Sequence, residues 1–148
     1  MDANFDLELR MAVYRHFADT GTAPMLDAMC GALNATREQV RGGYRRLYAK
    51  RMLVLDGDCQ NILMAPPFSG VATQHRANVD GTEYFANCAW DAFGVISALG
   101  GTGDVQSRCE QTLEPLQLHL TPAGPSPSDW LFHCVVPAAK WWSDIGFT

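Results

Sequence analysis

The sequence predicts an α+β fold, with a helical N-terminal unit packed on a mixed-sheet core. Three observations carry this expectation. Apolar residues recur at helical spacing up to about residue 50. Beyond that point they fall into short runs separated by Asp-Gly and Gly-Gly pairs, the signature of strands and turns. Pro66-Pro67 stands near the change and is expected to close the first unit, giving segments 1–66 and 67–148. A chain of 148 residues suits one ordinary domain or two small ones sharing a core.

The first helix is read from Leu7, Leu9, Met11, Val13, Tyr14 and Phe17, and it should end before Thr20-Gly21-Thr22. Pro24 fits the first turn of a second helix with Met25, Leu26, Met29 and Leu33 on its inner side. Thr36 followed by Gln39 is a capping-box pair for a third helix reaching about Lys50. Val40, Tyr44, Leu47 and Tyr48 should form its buried stripe, with Gly42-Gly43 as a weak point. Met52–Leu55 and Ile62–Met64 flank an Asp56-Gly57 turn and read as a β-hairpin. Three helices closed by a hairpin look like a winged helix. In the second half, 71–76 and 84–87 read as strands around Asp80-Gly81, and 90–99 as a short apolar helix stopped by Gly100-Gly101. Further strands are expected at 105–109, 116–120 and 130–136, and a helical turn at 138–144.

Composition narrows the function classes. The hydrophobic fraction of 47% and charged fraction of 18% are those of a folded globular chain. Net charge is −5, and the deficit is uneven. Residues 1–66 carry eight basic and eight acidic side chains, whereas 67–148 carry three and eight. This argues against general affinity for nucleic acid or an anionic membrane. No signal peptide opens the chain and no apolar run is long enough to span a bilayer, so a cytoplasmic location is expected. Cys30, Cys59, Cys88, Cys109 and Cys134 are odd in number, scattered and free of any CxxC pair. They are read as reduced thiols rather than a disulfide framework or a structural zinc site.

The segment Tyr84-Phe85-Ala86-Asn87-Cys88-Ala89-Trp90-Asp91 carries the chemistry. A strand should run into a helix with Cys88 at the junction, where unpaired backbone N–H groups and the helix dipole can lower a thiol pKa. Asp91 follows three residues later, so both side chains can share one face of the first turn. A thiolate beside a carboxyl group offers a soft metal ligand and a proton carrier together. From spacing alone, a packed Cys and a dipole-stabilising Asp are the simpler account of both residues.

A resemblance tips that balance. Pro67-Phe68-Ser69-Gly70-Val71-Ala72-Thr73-Gln74-His75-Arg76 is similar to the opening of the organomercurial (alkylmercury) lyase core. The aromatic strand, Cys88-Ala89-Trp90-Asp91, Cys109 in Ser107-Arg108-Cys109, Val135-Val136-Pro137 and Trp141-Trp142-Ser143-Asp144-Ile145-Gly146-Phe147-Thr148 resemble that family in the same order. The likeness covers about 66–148, and the helical part is similar in layout only. It implies protonolysis of a carbon–mercury bond, with Cys88 and Asp91 as catalytic residues and mercury ligands. No cofactor would be required, and Hg(II) would be held as product. The implied partners are a small organomercurial and a thiol or mercuric reductase that accepts Hg(II). The family's second catalytic Cys follows a segment like Phe147-Thr148, where this sequence stops, so the natural chain is expected to continue with a cysteine. The resemblance gives Cys109 a structural role and Cys134 no counterpart; Cys134 is read as a buried strand residue. Whether either replaces the second Cys stays open.

Two alternatives remain at this level: a thiol protein that binds Hg(II) or another soft metal without cleavage, and a winged-helix DNA-binding regulator using residues 36–50 and the Asp56-Gly57 hairpin. The third helix carries Arg37, Arg41, Arg45, Arg46 and Lys50. A solvated basic face explains them without DNA. His75, His119 and His133 lack ligand spacing, and Trp90, Trp141 and Trp142 read as packing residues.

Overall fold

The computed structural model describes residues 2–146; the expectations about Phe147 and Thr148 fall outside the described residues. The chain is α+β. Helices α1 (Asp2–Thr20), α2 (Leu26–Leu33) and α3 (Arg37–Ala49) come first. Strands β1 (Val54–Leu55), β2 (Ile62–Ala65) and β3 (Phe68–Ser69) follow as a small antiparallel sheet. Strands β4 (Arg76–Val79) and β5 (Thr82–Phe85) lead into helix α4 (Ala89–Ala98). Strands β6 (Gly103–Arg108), β7 (Pro115–Thr121) and β8 (Gly124–Pro125) complete a second sheet of order β5-β4-β6-β7-β8.

The three helices form for the expected reasons. Thr36 accepts the Gln39 backbone N–H while the Gln39 side chain accepts the Thr36 N–H, closing the capping box at the start of α3. Leu9, Val13, Phe17, Met29, Val40, Tyr44 and Leu47 meet in the core. Asp6 is buried on α1 and is bound by Arg46 and Lys50 of α3. Burial pushes its carboxyl up, but the two cations outweigh that and hold it below the usual range. Two stripe assignments fail. Met25 is the exposed residue preceding α2, and Tyr48 points outward half-exposed. Pro24 lies just outside α2 rather than in its first turn.

The hairpin forms, with the Asp56 carboxylate accepting the backbone N–H groups of Gln60 and Asn61 across its turn. Strands β2 and β3 then pair across Pro66-Pro67, and Phe68 bridges to Ala86 beside β5, so the two sheets are joined at one residue. The larger sheet is wholly antiparallel, not mixed. The reason is local. Asp80-Gly81, both at positive φ, reverse the chain directly from β4 into β5. Helix α4 then carries the chain past β4, and β6 pairs on its far side. β5 and β6 therefore run parallel but never touch.

Two strand expectations also fail. Residues 71–75 are irregular before β4 begins at Arg76. Residues 130–136 form no strand. Leu131 is 90% exposed and Val135 76%, so these apolar side chains are not taken into a sheet or the core. The last turn is a 3-10 segment, Ala138–Ser143.

Gly42-Gly43 has a packing meaning that spacing did not reveal. A methyl group on Gly43 would lie 2.5 Å from Leu9 Cδ2 and 3.2 Å from Phe5 Cε1, so this glycine lets α1 approach α3. On Gly42 the nearest atom would be Arg46 Nη1 at 3.3 Å, with no backbone or core side chain closer. Gly43→Ala should therefore cost about 1–3 kcal/mol by overpacking, and Gly42→Ala should gain up to about 1 kcal/mol from helix propensity. Urea denaturation of the two variants checks this. Equal effects would mean that α1 does not rest on α3 at Gly43.

Candidate functional site

Cys88 and Asp91 sit where β5 gives way to α4. Cys88 is the extended residue that starts the helix, at φ −149° and ψ 177°, and Asp91 lies in the first turn. The two side chains share one electrostatic environment, because the Asp91 charge acts on the Cys88 thiol. Burial pushes the Cys88 thiol up. The backbone N–H groups of Asp91 and Trp90 pull it down, while the Asp91 charge adds to the rise. The net direction is upward, opposite to what the helix N-terminus alone led us to expect. Desolvation outweighs the helix end here.

Asp91 is also pushed up, by burial first, against a lowering hydrogen bond from Asn87. Asn87 Nδ2 donates to Asp91 Oδ2 at 2.9 Å and to the carbonyls of Pro67 and Phe68 at 3.3 Å. Those backbone carbonyls face the amide nitrogen, which fixes its orientation and makes Asn87 a donor to the carboxyl group. Tyr14 of α1 completes this side. Its hydroxyl donates to the Pro66 carbonyl at 3.0 Å, Arg10 lies 5.6 Å from its ring centre, and Phe68 meets its ring edge-on at 6.2 Å. Burial raises the Tyr14 phenol, Arg10 opposes the rise, and the Asp91 charge adds to it. Asn87 and Tyr14 are the site residues that sequence reasoning missed. Asn87 lay inside the segment singled out, but only the fold shows that it joins Asp91 to the Pro67-Phe68 backbone.

The other candidates lie apart. Cys30 packs against the helical core, where its charge acts on Tyr44. Cys59 stands at the hairpin tip with positive φ. Cys109 follows β6, where the Thr112 hydroxyl first, then the backbone N–H groups of Thr112 and Gln111, pull its thiol down. Cys134 is exposed and irregular, not a buried strand residue. Its charge is the smallest of the influences on the Cys88 thiol. Trp90 is 58% exposed and meets Phe132 with ring centres 5.3 Å apart. Among the described residues, no three His, Cys, Asp or Glu side chains converge on a metal-sized space. His75 bonds Ser107 at 2.8 Å and faces Glu110, and His119 pairs with Asp104. On α3, Arg37 pairs with Asp27, Arg41 donates to the Asp58 carbonyl, and Arg46 and Lys50 hold Asp6.

A profile of the alkylmercury lyase family, MerB, matches residues 68–148. The chain belongs to the alkylmercury lyase family. The matched region contains Cys88, Asp91 and Asn87, while Tyr14 reaches the site from outside it. The mercury-bound form of MerB2, a crystal structure, shares the fold with a TM-score of 0.63 and 22% identity. The likeness covers 82% of this chain and 60% of that one, so this chain spans about three-fifths of its relative's length. No curated protein matches the chain.

The raised Asp91 carboxyl gives a stability test. Its folded pKa lies above the ordinary 3.8, so its protonated form is favoured in the fold. Parent stability should therefore decline as pH rises from about 3.8 through the folded value. Asp91→Asn carries no such charge. The difference in melting temperature between variant and parent should be small at low pH. It should grow in the variant's favour towards neutral pH. A difference that does not change with pH would show that burial does not disfavour the Asp91 charge.

Proposed function

We propose that this chain performs, or carries the reacting residues for, protonolysis of a carbon–mercury bond in a small organomercurial. The observation that carries the reading is a half-buried carboxyl group, held by Asn87 and raised by desolvation, in the first turn of the helix that a half-buried thiol begins. Family membership supplies the substrate class.

The chemistry follows from the two groups. The Cys88 thiol takes the mercury of R–Hg–X as thiolate, and its proton leaves with X as HX. Sulfur is a soft donor, so it pushes electron density through mercury onto the bound carbon. Asp91 keeps its proton to higher pH than an exposed carboxyl, which suits a general acid. That proton passes to the carbon. The Hg–C pair becomes the new C–H bond, R–H leaves, and mercury stays Hg(II) throughout. The Asp91 carboxylate, now ionised, joins Cys88 as a ligand to the product. Asn87 would act as a positioning residue by aiming the carboxyl group. No organic cofactor enters these steps.

We further propose a cytoplasmic setting, where Hg(II) is handed to a small thiol or to a mercuric reductase; the free state of all five cysteines supports a reducing compartment. We read 1–66 as a winged-helix-like unit that buttresses the 67–148 core rather than reading DNA. The intramolecular partners of Arg37, Arg41, Arg46 and Lys50 support this, and no described helix is long and apolar enough to cross a membrane.

The test is methane release from methylmercury in the presence of excess thiol. Parent protein should release methane. Cys88→Ser should release none, because a hydroxyl is a hard, poor mercury ligand. Asp91→Asn should keep mercury but slow release by about a hundredfold or more. Mercury retained by the parent with no methane would replace this reading with sequestration. Parent-rate release by Asp91→Asn would remove Asp91 from the reaction.

A further inference from the structure

Asn87 holds Asp91, so whatever orients Asn87 also sets the aim of the acid. The Asn87 amide nitrogen reaches three acceptors: Asp91 Oδ2 at 2.9 Å and the Pro67 and Phe68 carbonyls, each at 3.3 Å. The amide oxygen is buried and has no hydrogen-bond partner among the described residues. Asn87 is therefore oriented through its nitrogen, and the two backbone carbonyls supply the fixed points.

Two helices hold the turn that presents those carbonyls. Ala65 and Phe68 pair across Pro66-Pro67 where β2 meets β3. Helix α4 lies against the turn at Gly94, where an added methyl group would come 3.1 Å from Pro67 Cβ. From α1, the Tyr14 hydroxyl donates to the Pro66 carbonyl at 3.0 Å. Pro66 and Pro67 have no N–H, and their rings fix φ. The segment is stiff, so a carbonyl held at Pro66 also places the carbonyls of Pro67 and Phe68. Tyr14 and Asn87 thus grip one short stretch of backbone, and Asn87 passes its position on to Asp91. Tyr14, Pro66 and Pro67 all lie outside the 68–148 region that matches the family.

We propose that Tyr14 is a positioning residue for the Asp91 carboxyl group, acting through the Pro66 carbonyl and Asn87, so that the helical unit sets the aim of the acid. The inference rests on the organomercurial reading for the reaction that the acid performs. The role is geometric. Loss of the hydroxyl leaves the Pro66 carbonyl without this donor. The turn then relaxes, the Pro67 and Phe68 carbonyls shift, and the amide turns away from Asp91 Oδ2. Proton transfer to a mercury-bound carbon needs close alignment, whereas capture of mercury by the Cys88 thiol does not use the amide. The step that suffers is protonolysis, not capture.

The experiment compares Tyr14→Phe with Tyr84→Phe in the 148-residue chain. Each removes a hydroxyl that donates to a backbone carbonyl, Pro66 for Tyr14 and Ala18 for Tyr84, and each keeps its ring. Tyr14→Phe should lower kcat for methane release from methylmercury by about tenfold, with KM and mercury retention unchanged. Tyr84→Phe should keep the parent kcat, although its melting temperature falls by a similar amount. Added to Asn87→Ala, Tyr14→Phe should cause no further loss of kcat, because both act through one amide. A second readout needs no turnover. The Asn87 side-chain N–H signals in proton–nitrogen NMR should exchange with solvent faster in Tyr14→Phe than in the parent or Tyr84→Phe. Parent kcat in Tyr14→Phe, equal kcat losses in the two tyrosine variants, or unchanged Asn87 signals would each overturn the proposal. The outcomes separate it from the lyase reading. A parent that releases no methane would remove the reaction, and the Asn87 signals would still decide whether Tyr14 aims the amide.

Discussion

The fold turns on the ring of Phe68. It stacks on Phe17 of α1 at 5.2 Å, meets Tyr14 edge-on, and lies 5.9 Å from Tyr84 of β5. Its backbone pairs with β2 on one side and bridges to Ala86 on the other. Its carbonyl receives Asn87. One buried side chain therefore ties the helical unit, the small sheet and the large sheet into a single core. The same residue supports the amide that holds Asp91. Aromatic pairs of this kind contribute about 0.5–1.5 kcal/mol each beyond simple burial. Damage at Phe68 would therefore be felt both as lost stability and as a misplaced carboxyl group.

Burial explains why the candidate pair differs from an ordinary Cys-Asp couple. Desolvation raises both groups, so each favours its neutral form. A thiol that keeps its proton is protected from casual oxidation. A carboxyl group that keeps its proton is ready to give it away. On the proposed reading a soft cation would break the stalemate, because sulfur binds it far more strongly than it binds a proton, and the metal itself would supply the drive for deprotonation.

Much of this was legible in sequence because it depends on local chemistry. The capping box at Thr36, the turn at Asp80-Gly81 and the placement of Cys88 at a strand–helix junction were all written in neighbouring residues. What escaped depends on chain segments distant in sequence. Gly43 looked like a weakness until Leu9 was seen against it. Tyr14 looked like a core residue of α1 and lies in the electrostatic reach of Asp91, 77 positions on. The apolar run from Trp130 to Val136 has the composition of a strand, yet it forms none and leaves Leu131 and Val135 exposed. The Cys88 thiol was assigned the wrong direction because a helix end is visible in sequence and desolvation is not.

The large sheet has two margins, and the chain guards them differently. At one, β8 is only two residues long and ends in Pro125, which has no N–H to offer a stranger. At the other, β5 is covered by the end of α1. The Tyr84 hydroxyl donates to the Ala18 carbonyl at 2.7 Å, and Gly21 approaches the Glu83 carbonyl so closely that a side chain there would collide with it. The helical unit is therefore a chaperone built into its own chain. Without it, the strand that leads to Cys88 would offer an open edge to any neighbouring polypeptide.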